Sequence, residues 1–146
     1  AQTRKIGWVA SLAELQPDLV VVTGDFLAHR LAVPAVVEAL DGLLTRPGLF
    51  VFGSNDYYAP ELKNPLRYFD RDRDIDPHGA ALPTEELREA LTASGWVDLN
   101  NAQHRLSVND VPIHARGTHD AHIGRDAWQG KWAGARSNSA GLINDV

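Results

Sequence analysis

Two apolar runs, each ending in glycine and then in polar residues, restrict this chain more than any other feature of its sequence. They are "DLVVVTGD", which begins at Asp18, and "GLFVFGSND", which begins at Gly48. A short, continuous apolar run of this kind is typical of a strand buried on both faces of a parallel sheet. We therefore predict two such strands, each delivering oxygen-bearing side chains to its carboxyl end.

Apolar residues at helical spacing flank the first predicted strand on both sides. They recur from Arg4 to Leu15 and again from Val33 to Leu44, where Pro34 fits the first turn of the helix. A strand, a helix and a second strand in this order imply a right-handed crossover between parallel neighbours. The first half of the chain is therefore predicted to be α/β.

The second half of the chain is less regular. Thr84 can cap a third helix, and Gly95 lies where a left-handed C-terminal cap is expected. The segments "HRLSV" and "VPIHARG" flank Asn109 and Asp110, which predicts an antiparallel hairpin and hence a mixed sheet. Residues 57–82 are interpreted as a charged loop. We assign residues 1–126 to one domain and residues 127–146 to a poorly specified tail.

The composition excludes several classes of function. The net charge of −5 and the pI near 5.6 argue against a nucleic-acid-binding domain. The chain has no cysteine, so any metal must be held by Asp, Asn, His or Glu. No apolar run approaches the roughly 18–20 residues that span a bilayer, and no secretory pattern is present. We predict a cytoplasmic protein without a transmembrane segment.

Polar side chains at the two predicted strand ends are the candidate site. In open α/β sheets, ligands bind beyond the carboxyl ends of the strands, and Asp25 follows the first strand there. Ser54, Asn55 and Asp56 follow the second strand. Carboxylate and amide oxygens suit a hard divalent cation. An alternative stays open for Asp25, because an Asp after Gly is often a turn residue whose carboxylate accepts a backbone N–H.

These residues carry a resemblance to a known family. "PDLVVVTGD" and, about thirty residues later, "PGLFVFGSNDYYAP" resemble the second and third sequence blocks of the calcineurin-like metallophosphoesterases. The chain resembles in particular a bacterial subgroup in which a helix like "RKIGWVASLAEL" precedes these blocks. The similarity covers most of residues 2–126, including "KNPLRYF" and "DAHIGRD".

The resemblance implies a fold and an activity. The fold is a partial α/β/β/α sandwich, with parallel core strands and an antiparallel hairpin. The implied activity is hydrolysis of phosphomonoesters or phosphodiesters, of small or lipid-like substrates, at a centre of two divalent ions, which are Mn, Fe, Zn or Mg.

The resemblance also assigns roles to single residues. Asp25 becomes the carboxylate that bridges both metals. In a gapless alignment of the G-N-H-D block, Ser54 takes the place of the metal-binding Asn and Asn55 that of the catalytic His. A shift by one residue keeps Asn55 as the metal ligand, which its amide oxygen favours, and leaves Ser54 and Asp56 as supporting or alternative ligands. His29 is the candidate substitute for the missing general acid.

Other blocks of the family are not found in this chain. In the family, the D-x-H block lies at the end of a strand just before the first helix, and we expect that strand to be missing from this chain. G-H-x-H does not occur in the sequence, and His119 and His122 are assigned to a peripheral segment. The chain also contains no Met. We therefore expect a processed or truncated piece of a phosphoesterase that binds metal weakly, turns over slowly or not at all, and could require a complementing chain.

The competing interpretation is a non-catalytic α/β binding module. In such a module the Gly-Asp turn after the first strand is structural. Neither G-x-G-x-x-G nor G-x-x-x-x-G-K-[ST] occurs, which argues against a nucleotide-binding version of this alternative.

Overall fold

The structure is a computed structural model that describes residues 2–59 and 80–125. Most of the predicted charged loop and the whole of the predicted tail, residues 127–146, lie outside these ranges. The elements, in chain order, are α1 (Gln2–Ser11), a 3-10 turn (Leu12–Leu15), β1 (Val20–Val22), α2 (Val33–Leu44), β2 (Gly48–Phe50), α3 (Ser54–Tyr57), α4 (Thr84–Ala93), β3 (Val97–Asp98), β4 (Ala102–Val108), β5 (Val111–Gly117) and a second 3-10 turn (Ala121–Ile123).

The strands form two separate sheets. β1, β2 and β3 are parallel, with β2 in the centre, and Val22 pairs with Phe50 at the carboxyl ends of β1 and β2. This pairing confirms that β1 and β2 are parallel neighbours, and with the helices it confirms the α/β class. β4 and β5 form the predicted hairpin, which turns at Asn109 and Asp110, both with positive φ. The predicted mixed sheet is wrong within the described residues, because the hairpin strands pair only with each other.

The helices and the parallel sheet enclose a single core. Phe50 of β2 and the residue Phe52 just beyond it lie inside, together with Leu87 and Leu91 of α4. The core also takes in four aliphatic and aromatic side chains from α2 and the loop before β3: Val33, Leu40, Leu43 and Trp96. This packing fixes the carboxyl end of β2 against α4, and the candidate site lies immediately beyond that end.

The prediction that both strands are buried on both faces holds for β2 only. Leu49 and Phe50 are 3% and 1% exposed, whereas Val21 of β1 is 59% exposed. β1 lies at the edge of its sheet, and its outer face is not covered by any of the described elements. The apolar run before Gly24 therefore predicts the strand, but it does not show whether both faces of that strand are covered.

The start of α4 differs from the predicted cap. Thr84 is the first residue of the helix rather than the residue before it, and its hydroxyl donates a hydrogen bond to the backbone carbonyl of Asp56. The side chain is buried and joins α4 to α3 instead of accepting a bond from its own helix. The predicted C-terminal cap is confirmed, since Gly95 has φ +89°. In the described ranges, no helix has the length and apolar character to cross a membrane.

Candidate functional site

The two strand ends after β1 and β2 touch through their backbones. Gly24 follows β1 with φ +99°, and a Cβ atom added there would lie 2.4 Å from the backbone nitrogen of Gly53. Only glycine fits this combination of a left-handed conformation and a backbone contact. The loops that carry Asp25 and Ser54 are therefore held side by side at one edge of the sheet, as the sequence predicts.

Asp25 has the geometry of an available ligand. The backbone φ of Asp25 is +62°. Its carboxylate lies next to Gly53, so that a Cβ atom added to Gly53 would lie 2.7 Å from Oδ1 of Asp25. The residue is exposed, and its carboxylate makes no hydrogen bond or ion pair with any described residue. The alternative in which Asp25 caps a backbone N–H is not what the side chain does in this structure.

Asp56 performs that capping role instead. Its carboxylate is 0% exposed and accepts hydrogen bonds from the backbone N–H groups of Asp25 at 2.8 Å, Leu27 at 2.8 Å and Gly53 at 2.9 Å. Burial raises the pKa of Asp56, and the backbone N–H groups oppose that rise. With both oxygens buried and bonded, Asp56 is placed as a link between the two loops.

Ser54 and Asn55 begin the short helix α3 beside Asp25. The N–H of Ser54 donates to Oδ2 of Asp120 at 2.7 Å. Asn55 is exposed. Neither the Ser54 hydroxyl nor the Asn55 amide is hydrogen-bonded within the part of the chain that the structure describes. Both can therefore turn toward a ligand at this edge.

His29 lies on the exposed turn between β1 and α2. Its Nδ1 accepts a hydrogen bond from the N–H of Leu31 at 3.1 Å, which fixes the ring on its own turn. The described contacts bring Asp25, Gly53 and Asp56 together, but they do not include His29.

The loop after β5, which was predicted to be a peripheral segment, forms the other wall of the site. A cleft of about 360 Å³ lies between the end of β2 and the loop after β5, and its lining residues are Thr23, Val51, Phe52, Gly53, Thr118, His119, Asp120 and Ala121. Gly53 belongs both to this cleft and to the contact with Asp25. The bond from Ser54 to Asp120 joins the two walls.

His119 supports this wall through Tyr57. The two rings stack with centroids 5.1 Å apart, and Nε2 of His119 lies 2.7 Å from the Tyr57 hydroxyl. Nδ1 accepts from the N–H of Asp120, so we infer that a neutral ring carries its proton on Nε2 and donates it to Tyr57. Burial, then Arg125 and Arg88, lower the pKa of His119, and Asp120 opposes them.

His119 lines the cleft beside Gly53, so it lies closer to the candidate site than the peripheral position predicted for it. Because both ring nitrogens are already hydrogen-bonded, the side chain has no free atom for a metal ion. For His122 the structure describes the backbone only.

The carboxyl end of β2 has a second support from β3 and α4. The N–H of Phe52 donates to Oδ1 of Asn100 at 3.0 Å, and Asn100 is held in turn by Oδ1 of Asp98. The other oxygen of Asp98 pairs with the guanidinium of Arg88, which also lies 5.0 Å from the centre of the Phe52 ring. The sequence analysis missed this support because β3 has only two residues, although "WVDLNN" ends in the same polar way as the other strands.

The donor atoms at this edge fit a divalent cation in kind. Asp25, Ser54 and Asn55 offer a carboxylate, a hydroxyl and an amide oxygen, which are ligands that hard cations accept. Within residues 2–59 and 80–125, however, no group of three or more His, Cys, Asp and Glu side chains could hold a metal ion. The described residues therefore offer oxygen donors of the right kind, but not a complete set of metal-binding side chains.

The comparison with protein families agrees with the resemblance. The model of the calcineurin-like phosphoesterase family matches residues 3–140, and the chain belongs to that family. No match to the chain is found among curated proteins or among solved structures. Members of the family hydrolyse phosphoesters, and divalent metal ions are a general property of the family.

Proposed function

We propose that this chain contributes Asp25 and the Ser54–Asn55 pair to a divalent metal centre that hydrolyses phosphomonoesters or phosphodiesters. One observation supports this most directly. The Asp25 carboxylate is exposed, lies against Gly53 at the tip of the neighbouring strand and makes no hydrogen bond or ion pair with a described residue. The N–H groups of the two strand tips are bonded to Asp56 instead, so the oxygens of Asp25 are left for a ligand.

The proposed roles follow from the donor atoms. The two oxygens of the Asp25 carboxylate would hold the metal ions of the centre, with Mn, Fe, Zn and Mg as the candidates. When bound, such ions would lower the pKa of a coordinated water toward about 7 and polarise a phosphoryl oxygen. The neighbouring cleft beside Gly53 would receive the rest of a small or lipid-like phosphate ester.

Asp56 supports the gapless alignment of the third block. In that alignment Asp56 takes the last, acidic position of G-N-H-D, whereas the shifted alignment puts it at the catalytic His. Its carboxylate is fully buried and bonded to backbone N–H groups, so it cannot reach a leaving group. We therefore favour the Ser54 hydroxyl as the metal ligand and place the Asn55 amide at the position of the missing general acid.

We also propose that turnover by this chain is slow. An Asn at the position of the general acid can donate a hydrogen bond but cannot transfer a proton. His29 is the remaining candidate from the sequence, and only its Nε2 is left for proton transfer, because Nδ1 accepts from Leu31.

Binding of Mn²⁺ and hydrolysis of p-nitrophenyl phosphate and bis-p-nitrophenyl phosphate test the proposal. Wild type is expected to bind Mn²⁺, and Asp25→Asn is expected to bind it at least tenfold more weakly and to abolish hydrolysis. Asp41→Asn is the matched control, since Asp41 is an exposed residue of α2. Asp25→Asn with unchanged metal content and rate would show that the bridging role is wrong.

The second candidate function is a non-catalytic α/β binding module. The lack of a group of three metal-binding side chains within the described ranges favours it. A folded wild type that neither binds Mn²⁺ nor hydrolyses either ester would support this candidate. Hydrolysis that starts only when a second chain is added would instead indicate ligands from a complementing chain.

A further inference from the structure

We infer that Asp56 is the positioning residue of this site: its buried carboxylate holds the Gly24–Asp25 turn in the conformation that directs the Asp25 carboxylate onto the tip of β2. The chemical purpose of this arrangement rests on the proposed function, in which Asp25 is the metal ligand. The structural part of the inference rests on hydrogen bonds that do not depend on a metal.

The two oxygens of Asp56 divide their bonds between the loops. Oδ2 accepts from the N–H of Asp25 at 2.8 Å and from the N–H of Gly53 at 2.9 Å, so a single atom joins both strand tips. Oδ1 accepts from the N–H of Leu27 at 2.8 Å. The bonds from the N–H groups of Asp25 and Leu27, in the loop after β1, lie on either side of Phe26. They fix the peptide groups that precede Asp25 and Leu27.

Asp25 requires such restraint because its backbone is left-handed. A φ of +62° is disfavoured for a residue with a side chain, and the adjacent Gly24 lets the chain turn freely. An extended Asp25 would no longer place its carboxylate over Gly53. The bonds to Asp56 therefore select the less favourable conformation and, with it, the direction of the side chain.

Asp56 is itself anchored to the core. Its N–H donates to the carbonyl of Gly53 at 3.0 Å, and its own carbonyl accepts from the buried hydroxyl of Thr84 at the start of α4. The position of the carboxylate is thus set by a long helix packed in the core.

Asp56→Asn tests the inference, because it replaces one carboxylate oxygen by an NH2 group. That group donates hydrogen bonds and cannot accept them from the backbone N–H groups. In the metal-free protein, the amide protons of Asp25, Leu27 and Gly53 are expected to exchange with solvent at least tenfold faster, relative to the amides of β2. The Mn²⁺ dissociation constant is expected to rise at least tenfold in conditions where the variant is folded. In an Asp25→Asn background, the same change is expected to have no further effect on metal binding.

Leu91→Ala is the control for a general loss of stability, since Leu91 is fully buried in α4 and makes none of these bonds. It is expected to leave the exchange of the three amides, relative to β2, and the Mn²⁺ affinity unchanged. Thr84→Val removes only the hydrogen bond from the Thr84 hydroxyl to the Asp56 carbonyl. It should accelerate the exchange of the same three amides to a smaller extent, and it replaces Asp56→Asn as the test if that variant does not fold.

Two results would overturn the inference. The first is that the three amides exchange at the wild-type rate in Asp56→Asn, or in Thr84→Val if Asp56→Asn does not fold. The second is that Leu91→Ala accelerates the exchange of these three amides as much as Asp56→Asn does. A wild type that binds no Mn²⁺ would contradict the proposed function instead, and amide exchange in the metal-free protein would still decide whether Asp56 sets the turn.

Discussion

The carboxylate of Asp56 accepts a hydrogen bond from the backbone N–H of Asp25 at 2.8 Å, although the two residues are 31 positions apart in the chain. An acid at the tip of β2 therefore caps the loop at the tip of β1. Because the N–H groups of that loop already donate to Asp56, they are not available to the carboxylate of Asp25, which stays on the surface. The two acids have opposite environments, one buried and bonded and the other exposed.

Gly53→Ala is expected to weaken metal binding with little effect on folding. The backbone of Gly53, with φ −95° and ψ 174°, suits any residue, so the change introduces no backbone strain. The added Cβ would lie 2.7 Å from Oδ1 of Asp25 and push that side chain aside. We expect the Mn²⁺ dissociation constant to rise at least tenfold, or about 1.4 kcal/mol, in a calorimetric or EPR titration.

Gly7→Ala is the matched control for this substitution. A Cβ at Gly7 in α1 would meet no atom within 4 Å. We expect unchanged Mn²⁺ binding and a stability gain of roughly 0.5–1 kcal/mol from helix propensity. Equal affinities for Gly53→Ala and Gly7→Ala would show that Oδ1 of Asp25 does not contact the metal from its present position.

Substitutions at Ser54 and Asn55 distinguish the two alignments of the third block. If Ser54 holds the metal, Ser54→Ala weakens Mn²⁺ binding, Ser54→Asn strengthens it, and Asn55→Ala changes turnover alone. Metal titrations of the three variants, with rates on p-nitrophenyl phosphate, measure this. Loss of metal binding in Asn55→Ala but not in Ser54→Ala would favour the shifted alignment.

Asn100→Ala is expected to destabilise the carboxyl end of β2. The N–H of Phe52, a residue that is 1% exposed, would lose its acceptor in the core. An unsatisfied buried N–H costs about 1–3 kcal/mol, which urea denaturation can resolve. Thr45→Ala removes a comparable bond, from its hydroxyl to the Gly42 carbonyl, at an exposed site, and should cost under about 0.5 kcal/mol.

The environment of His119 predicts a loss of stability in acid. The pKa of His119 in the folded protein lies below the usual 6.5. As the pH falls below about 6.5, His119 therefore takes up a proton more readily in the unfolded chain than in the folded protein, which favours unfolding. The contribution of His119 to stability is therefore present above about pH 6.5 and decreases below it.

Urea denaturation at pH 7.5 and pH 5.5 measures this contribution. His119→Phe keeps an aromatic ring against Tyr57 but cannot titrate, so we expect its stability to depend less on pH than that of the wild type. Gly7→Ala, which changes no titratable group, should keep the pH dependence of the wild type. An identical pH dependence in His119→Phe and wild type would contradict the prediction.

The sequence was sufficient for the elements that repeat a local pattern. The periodicity of α2 and the turn at Asn109 are determined by neighbours along the chain. The order strand, helix, strand was enough to predict the parallel pairing of β1 with β2. The family was also recognisable, because Gly24-Asp25 and the third block are local motifs.

What the sequence left open depends on contacts between distant segments. Nothing near Asp56 in the chain indicates that its carboxylate would bond to N–H groups 29 and 31 positions away. The same holds for Thr84, whose hydroxyl has a partner on α3, and for His119, which stacks on Tyr57. The pattern of a single strand likewise could not show that β1 lies at the edge of its sheet.

The carboxylate of Asp56 accepts hydrogen bonds from backbone N–H groups of both loops, and none of these bonds requires a metal ion. The turn that carries Asp25 can therefore take its shape before any cation arrives. Under the proposed function, a chelator would then act at the exposed Asp25 and leave the hydrogen bonds to Asp56 in place.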